Sequence, residues 1–80
     1  MSYELFSRVA LVEDAPEYKL CRGDIATIVE RHPASDGEDG YSLEVFNAMG
    51  ETIAVLTVAE SQITSLTSNT VLNARLLDAA

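Results

Sequence analysis

The sequence predicts an all-β fold: five short strands, tightly connected, closing into a small barrel. Three observations predict it. Runs of β-branched and aromatic residues recur at short intervals, Gly, Pro, Asn and Asp punctuate the gaps between them, and only the last residues suggest a helix. The chain's 80 residues allow one domain with one small core.

The pattern is anchored on residues 20–30. Gly23 and Asp24 make a turn that opens directly into Ile25, Ala26, Thr27, Ile28 and Val29. Glycine supplies unusual backbone angles, aspartate hydrogen-bonds back onto its own turn, and the β-branched run fits a pleated surface. The other strands are expected to fold around this one.

Taken in order, residues 5–12 form the first strand. Leu5, Ser7, Val9 and Leu11 fall on one face and Phe6, Arg8, Ala10 and Val12 on the other, so both faces carry apolar residues. Glu13, Asp14, Pro16 and Glu17 break it, with Tyr18 and Leu20 expected to pin the loop to the core. The second strand, about 25–31, stops at His32 and Pro33. Residues 34–40 read as the most loop-like and mobile part of the body. Tyr41, Leu43 and Val45 alternate with Ser42 and Glu44 as a half-buried third strand. Residues 47–50 make a tight hairpin, with Asn47 opening the turn and Gly50 in the left-handed position.

The fourth strand, 51–58, is apolar on both faces, Ile53 and Val55 against Ala54, Leu56 and Val58, which predicts a central strand. A single 3₁₀ turn at 59–61 leads to the last strand, 62–66. Two longer loops, after the first and second strands, complete an SH3-like arrangement over residues 1–66. Residues 67–80 differ: Ser68, Asn69 and Thr70 suit the cap of a short helix over 71–78, with Leu72 and Leu76 one turn apart. So short a helix does not hold alone in water, so the tail docks on its own barrel, docks on a second molecule as a homo-oligomer contact, or frays.

These residues resemble a known group. Val9-Ala10-Leu11, Asp14-Ala15-Pro16-Glu17, Leu20, Gly23-Asp24 and Thr27-Ile28-Val29 recur in that order in the bacterial domain-of-unknown-function family four-nine-two-six. The run from Tyr41 through Gly50 to Thr57, with Gln62-Ile63, continues the match. The resemblance covers about residues 6–66 and implies an SH3-like barrel with no known activity. Ala26 departs from it, standing where the family usually has a glycine. If that glycine permits a left-handed bend, the second strand begins differently here.

Composition narrows the function. Thirteen acidic residues against five basic ones give a formal net charge of −8, a surface that repels phosphate backbones and lipid headgroups and draws basic partners. The scattered Arg8, Lys19, Arg22, Arg31 and Arg75 make no nucleic-acid groove, and the lack of tryptophan disfavours proline-rich peptides. No basic and apolar leader and no membrane span is seen, and the single Cys21 forms no internal disulfide, so a cytoplasmic setting is expected. One cysteine and one histidine, without triad spacing, predict no enzyme and no cofactor. Asp36, Glu38 and Asp39 do not follow calcium-loop spacing and read as a solvated acidic loop, and zinc has too few nitrogen and sulfur ligands. Arg22-Gly23-Asp24 spells an adhesion tripeptide at the start of a core strand, a coincidence of turn chemistry.

What remains is protein–protein interaction. Glu13, Asp14 and Glu17 in one loop and Asp36, Glu38 and Asp39 in the other are expected to make an acidic rim. Phe46 and Met49 flank the hairpin as apolar anchors, and together they suit a basic protein. The acids alternatively confer solubility only, with Phe46 folded into the second side of the core. Sharper forms of the reading are an antitoxin or immunity-type protein covering a basic toxin, or a structural subunit docked through its tail.

Overall fold

The computed structural model describes residues 3–78, so residues 1, 2, 79 and 80 of the two expected segments lie outside the described residues. Five strands form one antiparallel sheet: β1 Arg8–Leu11, β2 Ile25–His32, β3 Gly40–Phe46, β4 Thr52–Ala59 and β5 Ile63–Ser65. Their order across the sheet is β4-β3-β2-β1-β5. The sheet is not closed, since β4 and β5 form its two edges.

The strand opened by the Gly-Asp turn is the middle one. Its first half pairs with β1, Thr27 opposite Arg8 and Ile25 opposite Ala10. Its second half pairs with β3, from Thr27 opposite Glu44 to His32 opposite Gly40, with a register shift between Ile28 and Glu30. An extra residue at such a bulge bends a strand and raises its twist. A second shift, between Val45 and Phe46, bends the β3–β4 hairpin. The sheet curls as a result, and one apolar face becomes the core: Val9, Leu11, Leu20, Ala26, Ile28, Tyr41, Leu43, Val45, Ala54, Leu56, Val58 and Ile63 form one buried cluster.

Several expectations need correcting. β4 is an edge strand, not the central one: Ala54, Leu56 and Val58 are buried, but Val55 is 58% exposed and Ile53 is also open. An apolar run on both faces therefore signals two buried faces only when a partner covers the second. β1 is shorter than expected because Phe6 adopts a left-handed φ of 66°, which ends the extended run and leaves its ring 72% exposed. Leu20 is buried as the loop anchor, whereas Tyr18 is exposed. β2 runs one residue further than expected, to His32, whose Nε2 lies 2.7 Å from Ser42 Oγ across the ladder. Ala26 is buried opposite Val9 and has no positive φ, so β2 begins as ordinary strand without the family's glycine.

The hairpin is built as its sequence dictates. Asn47 Oδ1 accepts the Met49 and Glu51 N–H groups at 2.9 and 3.0 Å, and Gly50 takes a φ of 81°. The 3₁₀ turn between β4 and β5 spans Glu60–Gln62. Among the described residues the tail contains no helix: Thr67 and Thr70 close a turn through their side chains and backbone, and residues 71–78 run on without regular structure. Of the expected cap residues, Thr70 turns its hydroxyl back to accept the Thr67 N–H instead of capping a helix ahead of it.

Candidate functional site

The two acidic loops do meet, at the 3₁₀ turn Glu60–Gln62. Glu38 accepts the Ser61 N–H at 2.7 Å and the Ser61 hydroxyl at 3.1 Å. From the other loop, Glu13 accepts from Gln62 Nε2 at 2.6 Å. Glu60 belongs to the same turn, and its N–H donates to the Asp39 carbonyl at 2.9 Å. Two carboxylates from separate loops are thus brought to one turn that itself carries a third acidic residue, at one corner of the sheet.

The remaining acidic residues divide by their partners. Asp39 is a structural fixture: it takes the Ala34 N–H at 3.0 Å and the Arg31 guanidinium at 2.7 and 3.0 Å. The Ala34 N–H, then Arg31, hold its carboxyl below the ordinary range and outweigh its partial desolvation, while Asp39 in turn raises Arg31. Asp14 accepts the Arg22 N–H at 2.8 Å, which ties the first loop to the turn before β2. Glu17 lies exposed in a 3₁₀ turn, Pro16–Tyr18, and Asp36 is exposed in the second loop.

Phe46 and Met49 are not on this corner. The second acidic loop enters β3 at Gly40, and the hairpin leaves β3 after Phe46, so the two lie at opposite ends of that strand. Phe46 is 44% and Met49 81% exposed. Phe46 instead faces a cleft with Leu20, Ile25 and Ile53, and the far side of that cleft is the chain's own tail.

That tail contact carries residues the sequence did not single out. Arg75 donates through Nε to Asp24 Oδ1 at 2.9 Å, through Nη2 to Asp24 Oδ2, and through Nη2 to the Lys19 carbonyl at 3.1 Å. Asp78 pairs with Lys19 Nζ at 3.0 Å. Asp24 is held in place by the Cys21 N–H at 2.7 Å. Burial pushes its carboxyl up, but the Arg75 hydrogen bonds, the Cys21 N–H and the Arg75 charge together bring it below the ordinary value, and Arg75 is raised. The aspartate of the adhesion-like tripeptide is therefore engaged by the tail. Arg75 is the one basic residue in the tail of an acidic chain, and that isolation is the signal by which sequence reading could have found it.

Among the described residues, no three His, Cys, Asp or Glu side chains converge as metal ligands, and no helix is long and apolar enough to cross a membrane. His32 and Ser42 lie on an open sheet face, where Glu30 approaches the same imidazole nitrogen at 3.9 Å. The opposite imidazole nitrogen, which a catalytic triad would use, has no carboxylate partner among the described hydrogen bonds.

Fold and site together define a small all-β domain of one curled antiparallel sheet, with an acidic corner at one place and a tail strapped across another. The chain belongs to the family described as a domain of unknown function, DUF4926, whose sequence profile matches residues 5–65. Its tail lies beyond that match. No curated protein and no solved structure matches the chain.

Proposed function

We propose that the chain is a non-enzymatic protein–protein interaction module that takes a basic partner. The observation that carries this reading is that the Glu13 and Glu38 carboxylates, from two different loops, both bond to the 3₁₀ turn Glu60–Gln62, which adds a third acidic residue, in a chain of net charge −8. Like charges held together on a surface raise the local potential, steer a basic protein towards it and repel nucleic acid and anionic lipid. Glu17 and Asp36 extend the field, while Asp14 and Asp39 shape the loops that present it.

We further read the fold as an SH3-like barrel left open between its edge strands. The order β4-β3-β2-β1-β5 and the two bulges that curl the sheet support this reading. The proposed setting is cytoplasmic, in keeping with the free Cys21. In its sharper form the partner is a basic toxin and the chain its antitoxin or immunity protein. An assembly subunit docked through its tail is less favoured, because the tail is tied to its own β1–β2 loop.

Affinity capture with the tagged full chain, at low and at high salt, tests the reading. A basic protein retained only at low salt is the expected result, since salt screens exposed charges. A partner held equally at both, or one that is acidic, would overturn it.

A further inference from the structure

The tail is held in an unusual way. Every residue from 70 to 78 is exposed, Val71 and Leu76 at 86% and 74%. Its described polar ties to the rest of the chain are side-chain contacts: Arg75 to Asp24 and the Lys19 carbonyl, and Asp78 to Lys19. No backbone hydrogen bond joins residues 71–78 to the sheet among the described residues. The Lys19–Asp78 pair is exposed at both ends and so holds weakly, which leaves the two-pronged Arg75–Asp24 contact as the tail's one firm tie among the described residues, a contact that any other arginine could make in its place.

The surface beneath is, by contrast, fixed. Asp24 is positioned by the Cys21 N–H, and Lys19 presents its carbonyl from a left-handed conformation, φ 61°, at the end of the 3₁₀ turn Pro16–Tyr18. Carboxylate and carbonyl converge on one planar guanidinium. That geometry matches arginine, whose donors form a rigid fork, better than the compact ammonium of lysine. Two residues on, Leu77 lines the cleft of Leu20, Ile25, Phe46 and Ile53, so arginine and leucine are read together. The whole seat lies within the residues that match the family, and the segment occupying it lies outside them.

We propose that this seat is a docking site for an extended segment of a basic partner, bearing an arginine with an apolar residue two positions later. The chain's own tail occupies it as a displaceable stand-in. The inference rests on the reading of the chain as a binding module and names where on it the partner's arginine is held. Release of the tail then controls access.

The test uses isotope-labelled full-length protein and a synthetic peptide of residues 70–78. The Arg75→Ala variant should bind the peptide, with amide shifts centred on Cys21, Asp24 and Ile25. The wild type should bind about tenfold more weakly if its tail fills the seat in nine molecules of ten. Replacing the peptide's arginine by lysine should weaken binding, and replacing it by glutamate, or adding Asp24→Asn to the variant, should abolish it. Unchanged resonances for Ile28 and Leu43 would show that each variant remains folded. Equal binding by wild type and variant, indifference to the arginine, or no binding by the folded variant would each overturn the proposal. So would concentration-dependent dimers of the wild type that Arg75→Ala abolishes, because the occupant would then be a second copy's tail. If the peptide fails while a basic protein is still captured at low salt, the seat is wrong and the binding-module reading stands. If capture fails too, both fall.

Discussion

Leu56 and Val55 are neighbours on β4 and opposite in fate, so a pair of truncations there tests the architecture. Leu56 is 5% exposed within the core cluster and Val55 58% exposed on the outer face. Leu56→Ala removes a buried side chain and leaves a cavity, a loss of about 2–5 kcal/mol. A chain of 80 residues is expected to have roughly 4–12 kcal/mol in total, so that loss is a large fraction of it. Val55→Ala should cost no more than about 0.5 kcal/mol. Urea unfolding followed by far-ultraviolet circular dichroism measures both, the midpoint falling steeply for Leu56→Ala and hardly for Val55→Ala, with little change of slope. A loss at Val55 comparable to that at Leu56 would mean both faces of β4 are covered. The edge-strand assignment would then be wrong.

Other predictions follow from single contacts. Gly50 has a φ of 81° and open space where a Cβ would stand, so Gly50→Ala should cost about 1 kcal/mol from backbone strain alone. Gly50→Asn should cost less, since asparagine tolerates that region, and thermal unfolding distinguishes the two. Asp24 and Asp39 both have lowered carboxyl values, so the folded chain binds fewer protons than the unfolded one near pH 4. Their contributions are present above the unfolded value of about 3.9 and are lost as pH falls through the lower folded values. Carboxyl resonances followed from pH 6 to 2 should show both titrating below ordinary aspartate, with the Arg75 Nε–H signal collapsing alongside Asp24. Titration of Asp24 at or above the ordinary value would remove the tail's anchor.

Much of the fold was legible because local chemistry and tertiary structure agree. The Gly23-Asp24 turn, the alternation of Tyr41, Leu43 and Val45, and the Asn47–Gly50 hairpin are each encoded within a few residues. Strand rank was not, because Ile53 and Val55 look the same in sequence whether a neighbour covers them or solvent does. The tail's course was hidden for a related reason: Thr67 and Thr70 close a turn on each other, and Arg75 reaches Asp24, 51 positions earlier, a contact no local pattern records. The acidic corner was half legible. Its loops could be named, but their meeting point at Glu60–Gln62 depends on how the sheet curls. The sequence leaves Phe46 open between a surface anchor and the second side of the core, and its place beside Leu77 is not legible, since no local pattern brings residue 77 to it.

The most direct test of the account compares capture of partner proteins by the wild type and by Arg75→Ala, each at low and high salt. The account predicts that a basic protein is retained at low salt by both chains, more strongly by Arg75→Ala, and is released from both by high salt. Capture that is unaffected by salt and by the tail's arginine would contradict it.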